Sequence, residues 1–140
     1  MTDHPLPAPP KFYGRRPICS CGHVAILLRG DELYRRGKLA EKQFWVCRPC
    51  DAAIGCHPGT IRPLGTLATQ EVRGWRRSVH AAFDPLWQSE GVDRSEAYRE
   101  LAQLLGLPPE LCHIGLFDVE WCRRALMAVT WMRPAAREAA

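Results

Sequence analysis

The chain has 140 residues, a formal net charge of +4 and 46% hydrophobic residues, five of them Trp. This composition excludes wholesale disorder, because the chain has enough apolar residues to bury a core. No apolar run reaches the roughly 18 residues of a membrane span, and the N-terminal segment has no hydrophobic signal region. We therefore expect a cytoplasmic protein that does not enter membranes.

The charge is distributed unevenly along the chain. Residues 11–77 contain thirteen Lys or Arg and five Asp or Glu (13 − 5 = +8), whereas residues 78–140 contain six and nine (6 − 9 = −3). A basic half of this kind favours nucleic acid or an acidic protein surface as a partner. Surface charge that only keeps a small domain in solution would give the same excess.

The first part of the chain predicts an arm followed by a ribbon. Residues 1–17 contain five Pro, so we expect an N-terminal arm without regular structure. Residues 18–60 contain two close pairs of cysteines and predict a metal-clipped antiparallel ribbon with apolar strands over 23–28, 44–46 and 52–55.

The second part of the chain has helical periodicity. Over residues 61–133, apolar residues recur at three- and four-residue steps, which predicts about three helices packed on the ribbon. Pro85 should end or bend the first helix, the second should cover 93–105, and the third should start at Asp118. Residues 134–140 form a tail. The expected fold class is therefore α+β, a small antiparallel zinc ribbon followed by about three helices.

Two close pairs of cysteines predict one structural zinc ion. In a reducing compartment such pairs are typical of metal ligands rather than disulfides. Cys47 and Cys50 have the usual two-residue spacing, whereas Cys19 and Cys21 are separated by one residue. If Cys19 points away, the fourth ligand has three alternatives: His23, Cys56 and His57. A closed site of four thiolates stabilises a fold and leaves no open position for chemistry.

Two Cys-His-x-Gly motifs, at 56–59 and 112–115, allow a different interpretation. Histidines, thiols and carboxylates could form a second metal site or a catalytic cluster. The candidates for that cluster are Cys56, His57, His80, Asp84, Cys112, His113 and Asp118. Alternatively, Cys112 and Cys122 are core thiols, and the histidines bind backbone groups at turns.

Arginines supply the candidate surface for a partner. These residues are Arg15, Arg16, Arg35, Arg36, Arg48, Arg73, Arg76 and Arg77. The last three line the polar side of the first predicted helix, where they could contact phosphates or simply face solvent.

The motifs resemble those of a bacterial and phage family described as zinc-finger-containing and of unknown function. The resemblance runs from about Pro17 to Met132. It is carried by Cys21-Gly22, Phe44 to Cys50, Gly55 to Thr60, Pro63 to Ala68, Ala81 to Trp87, Glu96-Ala97-Tyr98, Leu101-Ala102, Cys112 to Asp118, and Cys122. It implies a zinc ribbon with a helical remainder and supplies no established activity. Family members open with a two-residue Cys spacing, whereas Ile18 stands where that spacing would require a Cys.

Three functions follow from these observations. The first is a non-enzymatic binding or adaptor module that acts on nucleic acid or a nucleic-acid-processing protein, of which a phage-type inhibitor or regulator is one form. The second is a metal-dependent hydrolase or nuclease that uses the Cys-His-x-Gly motifs. The third is a structural docking subunit with an exposed apolar patch that includes Trp87, Trp121 or Trp131.

Overall fold

The chain folds into two compact units. The computed structural model describes residues 4–33, 36–88 and 92–132. The ribbon unit is Pro9–Glu71, and the helical unit consists of Met1–Ala8 and Val72–Ala140. This division differs from the expected boundary at residue 60, because the segment after the third strand of the ribbon sheet bonds back to that sheet. The bridges Cys56↔Pro63 and Ala53↔Ala68 hold the segment there.

The ribbon unit begins with a small hairpin. Strand β1 (Lys11–Tyr13) pairs antiparallel with β2 (Arg16–Ile18), and Gly14 adopts a φ of 62° in the turn between them. The prediction of an arm without regular structure is therefore wrong for residues 11–17, whereas residues 4–10 form no helix or strand. Pro17 fits β2 because its carbonyl, rather than an N–H, makes the bond on the outer edge of that strand, where it accepts the N–H of Ala25 at 2.9 Å.

The main sheet of the ribbon unit has three antiparallel strands. They are β3 (Ile26–Arg29), β4 (Gln43–Cys47) and β5 (Ala52–Gly55), in the order β3-β4-β5. The register pairs Ile26 with Val46 and Cys47 with Ala52. Each cysteine knuckle thus adjoins a strand, and the predicted antiparallel ribbon is confirmed.

The core of the ribbon unit is small. Its buried residues are Cys19, Ala25, Trp45, Cys47, Ala52 and Leu67. Trp45 is the largest of them, and its indole Nε1 donates a 2.6 Å hydrogen bond to the carbonyl of Ile61. Two of the six buried residues are cysteines, so the core and the thiol cluster are continuous.

The described part of the helical unit contains three α-helices. They are α1 (Gln70–Gln88, whose first two residues belong to the ribbon unit), α2 (Arg94–Leu105) and α3 (Val119–Met132). Pro85 does not end α1, which continues to Gln88. Pro85 lacks the N–H that would bond to the carbonyl of Ala81, so α1 loses one backbone bond near its C-terminal end and continues for three more residues.

Capping residues define both ends of α2 and the start of α3, at the positions that the sequence predicts. The carboxylate of Asp93 accepts the backbone N–H of Ser95 at 2.9 Å, and Gly106 ends α2 in the left-handed conformation with φ of 70°. The carboxylate of Asp118 accepts the N–H of Trp121 at 3.0 Å and so caps α3. Two short 3-10 turns, Pro109–Leu111 and Ile114–Leu116, connect α2 to α3.

The core of the helical unit forms where the three helices meet. Its largest fully buried side chains include Trp121, Phe83, Phe117, Leu101, Ile114 and Val79. The expected exposure of Trp121 is wrong, because this residue is 1% exposed and its Nε1 donates to the carbonyl of Pro5 at 2.7 Å. Among the described residues, no helix combines the length and the apolar character that crossing a membrane requires.

Candidate metal centre

The second cysteine knuckle is formed by the turn that leaves β4. Cys47 is the last residue of that strand, and the N–H of Asp51 donates to the carbonyl of Arg48 at 3.2 Å. Asp51 adopts a φ of 54°, a left-handed conformation that Asp tolerates better than most residues. This tight turn brings the Cys47 and Cys50 sulfur atoms to 3.3 Å from each other.

The first knuckle shows why a one-residue spacing suffices. The backbone N–H of Cys19 donates to the carbonyl of His23, and the N–H of Gly22 donates to the carbonyl of Cys19, both at 2.8 Å. Gly22 has a φ of 95°, which favours glycine. The loop therefore closes on itself, and both Cys19 and Cys21 reach the second knuckle.

The four sulfur atoms converge on one point. The Sγ–Sγ distances are 3.1 Å for Cys19 and Cys50, 3.4 Å for Cys21 and Cys47, and 3.5 Å for Cys21 and Cys50. All four ligand atoms lie within 4.8 Å of one another. The three Sγ–Sγ distances exceed the length of a disulfide bond, about 2.05 Å. They are slightly shorter than the separation of about 3.8 Å in a regular tetrahedron with zinc–sulfur bonds of about 2.3 Å.

The electrostatics of the cluster favour a bound cation once the thiols ionise. The backbone N–H of His23 donates to Cys21, and this bond, followed by the His23 ring, lowers the pKa of the Cys21 thiol to about 6. Burial raises the pKa of Cys47, and the neighbouring thiol of Cys19 is the first cause of a raised pKa at Cys50. Four thiols packed this closely cannot all ionise unless a positive ion compensates their charge. Zn²⁺ supplies that charge, and the cluster binds one structural zinc ion through four thiolates.

The alternative ligands lie outside the converging set. His23 Nδ1 is 3.2 Å from the Cys21 sulfur, so this ring contacts a ligand without replacing one. Cys56 packs against the ribbon core, and the backbone N–H of His57 donates to the carbonyl of Arg62. In the chain segments that the structure describes, the four cysteines are the only group of three or more His, Cys, Asp or Glu whose ligand atoms converge.

The residues considered for a catalytic cluster are divided between the two units. His57 belongs to the ribbon unit, whereas the other histidine candidates belong to the helical unit. Within the helical unit, His80 Nδ1 lies 3.1 Å from a carboxylate oxygen of Asp84, one turn away on α1. The carboxylate of Asp118 lies 2.6 Å from Nε2 of His4. These are separate pairs rather than one constellation.

The two Cys-His-x-Gly motifs share a local arrangement. In each, the cysteine is buried or half-buried and the histidine is exposed. Burial raises the pKa of Cys56, and it raises the pKa of Cys112 and Cys122 to about 11, so these thiols are neutral at physiological pH. His113 lines a cleft of about 300 Å³ in the helical unit that also contains Arg94 and Arg99. His57 lines a larger cleft in the ribbon unit.

The arginines predicted to bind a partner differ in their exposure to solvent. Arg15, Arg16, Arg36, Arg48 and Arg77 are exposed and Arg73 is half-buried, while Arg35 lies outside the described residues. Arg76 does not face solvent, contrary to the expectation from its charge.

Arg76 is 8% exposed, and its Nε donates a 2.9 Å hydrogen bond to the carbonyl of Phe117. Arg62, which was not among the predicted arginines, lines the same ribbon cleft as Arg15. Arg62 lies between turn residues, so neither helical periodicity nor a sequence motif indicated it as a binding residue.

Comparison with known proteins agrees with this geometry. A family described as a zinc-finger-containing domain matches residues 16–131. The matched range contains all four zinc ligands and most of both units. No curated protein and no solved structure matches the chain.

Proposed function

Since the chain belongs to this family of zinc-finger-containing domains, we propose that it is a non-enzymatic binding module whose ribbon unit binds nucleic acid. Four thiolates complete the coordination of zinc, so the ion has no open position at which water or a substrate could be activated. The role of the zinc is then to stabilise the surface that makes contact with the partner. A reducing cytoplasm is the compartment that keeps such thiols available.

The observation that carries this proposal is the basic surface of the ribbon unit. Within the described part of that unit, Arg29 is the one basic residue that forms an ion pair, with Asp31 at 3.2 Å. The remaining basic side chains are exposed: Lys11, Arg15, Arg16, Arg36, Lys38, Lys42, Arg48 and Arg62. Positive charge that meets no carboxylate within the described part of the unit is available to phosphates.

Exposed aromatic side chains favour nucleic acid over an acidic protein surface. Phe12 is 48% exposed and Tyr13 is 70% exposed, and the exposed Arg15 follows them after one glycine. Basic and aromatic side chains together bind a phosphate backbone and stack on bases. A nucleic acid with accessible bases engages both kinds of side chain, the charges through its phosphates and the aromatic faces through its bases.

The test is the salt dependence of binding to labelled oligonucleotides, measured by fluorescence anisotropy. For the wild-type protein, the logarithm of affinity should fall linearly with the logarithm of salt concentration, by about 0.7 to 0.9 per neutralised phosphate. Arg48→Ala should weaken binding and reduce this slope by about one. Arg123→Ala, an exposed arginine of the helical unit, is the matched control and should leave both unchanged.

Absence of salt-sensitive binding to single-stranded DNA, single-stranded RNA and duplex DNA would contradict the proposal. So would an equal loss of affinity in Arg123→Ala and Arg48→Ala, because the effect would then follow total charge rather than the ribbon surface. Binding to a nucleic-acid-processing protein without binding to nucleic acid would also overturn it.

A second candidate function, docking of the helical unit on a protein, is favoured by one apolar surface. Trp131 and Met127 on α3 are 71% and 69% exposed, and Leu104 on α2 is 46% exposed. Together they line one groove of about 350 Å³. If the protein acts as a docking subunit, Trp131→Ala should weaken a partner complex, while Arg48→Ala should not.

A further inference from the structure

The ribbon unit contains a cleft that the zinc site does not explain. It has a volume of about 810 Å³ and lies between the β1–β2 hairpin and the segment after β5. Its lining residues are Pro10, Phe12, Gly14, Arg15, His57, Thr60, Ile61, Arg62 and Pro63. This volume lies within the range of small-molecule and cofactor pockets, so the cleft can accept a group as large as a nucleotide.

The chemistry of the lining has two parts. Phe12, Ile61 and the two prolines supply apolar surface, and the ring of Phe12 is about half exposed. Arg15, Arg62 and His57 supply positive or proton-donating groups, and no carboxylate is found among the described residues of the lining. A ligand that suits both parts has a flat apolar face and an anionic group attached to it.

Backbone hydrogen bonds fix the wall that carries His57 and Arg62. The N–H of His57 donates to the carbonyl of Arg62 at 2.9 Å, and the N–H of Thr60 donates to the carbonyl of His57 at 3.0 Å. The hydroxyl of Thr60 accepts the N–H of Arg62 at 3.1 Å. These three bonds order the loop without a ligand, which lowers the entropic cost of binding.

The core side of the same loop is anchored independently. Cys56 bridges to Pro63 through the backbone, and Nε1 of Trp45 donates to the carbonyl of Ile61. Within the first Cys-His-x-Gly motif, Cys56 therefore packs on the ribbon core while His57 lines the cleft. The first Cys-His-x-Gly motif therefore holds His57 at a cleft that is also lined by Arg15 and Arg62.

We propose that this cleft binds one unpaired nucleotide of a single-stranded nucleic acid, with its base against Phe12 and its phosphate beside Arg15 and Arg62. This inference rests on the proposed function and adds to it the kind of nucleic acid. In a duplex the bases are stacked and paired, so their faces cannot reach an aromatic side chain without being extruded. Single strands expose those faces, and stacking on an aromatic residue tolerates any base.

The test compares single-stranded and duplex oligonucleotides of the same length in anisotropy titrations of the zinc-loaded protein. Phe12→Leu keeps an apolar side chain and removes the aromatic face. Its affinity for the single strand should fall by at least about 5-fold, because one base–aromatic stack is lost. Tyr13→Leu is a comparison rather than a control, because it removes a neighbouring, more exposed aromatic ring of the ribbon surface that is not part of the lining. It should change affinity by less than Phe12→Leu does.

Arginine variants test the phosphate side of the cleft. Arg62→Gln should weaken single-strand binding and lower the salt slope by about one. The combination of Phe12→Leu and Arg62→Gln should abolish the preference for single strands over duplex, whereas Arg48→Gln should keep that preference. One bound zinc per chain in every variant shows that the ribbon is folded, so a loss of affinity cannot be assigned to unfolding.

The outcomes separate this inference from the function on which it rests. Salt-sensitive binding that is insensitive to Phe12→Leu and Arg62→Gln would overturn the cleft assignment and leave nucleic-acid binding intact. Equal affinity of the wild-type protein for duplex and single strand would do the same. No binding to either form would overturn both.

Discussion

Arg76 and Arg77 are neighbours on α1 with opposite surroundings. Arg77 is exposed, whereas Arg76 is buried and donates through Nε to the carbonyl of Phe117. Burial lowers the pKa of Arg76 to about 10, which leaves its guanidinium charged at neutral pH. A buried charge remains in a core only where hydrogen bonds compensate its lost hydration. Arg76 therefore links α1 to the segment that precedes α3.

Substitution of these two residues should have different effects on stability. Arg76→Ala removes the donor and leaves the carbonyl of Phe117 without it, so the free energy of unfolding should fall by about 1–3 kcal/mol. Arg77→Ala should change it by less than about 0.5 kcal/mol, as is usual for exposed sites. Urea unfolding followed by far-UV circular dichroism measures both. Equal effects would contradict the structural role of Arg76.

The helical period alone would have placed Arg76 correctly. Arg76 precedes Val79 by three residues and Phe83 by seven, so it lies on the buried stripe of α1. We expected it at the surface because of its charge. The prediction for Arg76 was wrong because it relied on residue type. Here the spacing of the buried positions along the helix indicates burial better than charge does, since the Phe117 carbonyl accepts a hydrogen bond from the guanidinium. That acceptor is 41 residues away in sequence and could not be foreseen.

Among the elements, the described part of the connection between β3 and β4 has a close backbone contact at Gly30. Gly30 begins a 3-10 turn, Gly30–Leu33, and its N–H donates to the carbonyl of Lys42 at 2.7 Å. A Cβ atom at this position would lie 1.7 Å from the carbonyl oxygen of Leu39. Because that neighbour is backbone rather than a flexible side chain, no residue other than glycine fits without movement of the loop.

Gly30→Ala should therefore destabilise the ribbon unit by at least about 1–3 kcal/mol, the usual cost of overpacking. Gly74→Ala is the matched control: it lies inside α1, where a Cβ would meet only the end of the Arg77 side chain at 3.7 Å. It should be neutral or stabilise the protein by up to about 1 kcal/mol. Near-UV circular dichroism and Trp fluorescence report unfolding. A destabilisation by Gly74→Ala equal to that by Gly30→Ala would contradict this interpretation.

The sequence predicts some elements better than others. The β3–β4–β5 strands and the capped ends of α2 follow from local patterns, because short runs of apolar residues, Asp93 and Gly106 have direct structural consequences. The β1–β2 hairpin does not, because its prolines favour an extended arm and only the turn at Gly14 reverses the chain.

At the scale of the whole molecule, the two units depend on different sources of stability. The helical unit buries several large side chains, including Trp121, Phe83 and Phe117, in a core of its own. The ribbon unit buries few large side chains, of which Trp45 is the largest. A core this small usually needs a metal or disulfides, so zinc should be the main stabilising element of the ribbon unit.

The zinc site was predictable from the sequence and the cleft was not. The spacing of Cys47 and Cys50, with a second pair near a strand, is by itself typical of a shared metal. Arg62 and Phe12 are far apart in the sequence and line one cleft only because the segment after β5 folds back on the ribbon. Such proximity depends on tertiary structure, which no local pattern of residue types encodes.

Metal stoichiometry tests the central claim most directly. Elemental analysis should find one zinc per wild-type chain, and none in the double variant Cys47→Ser with Cys50→Ser. The control, Cys56→Ser with His57→Ala, removes another neighbouring Cys and His and should keep one zinc, because neither residue belongs to the converging set. Wild-type protein without zinc, or zinc that stays when Cys47 and Cys50 are replaced, would contradict a site formed by these four thiolates.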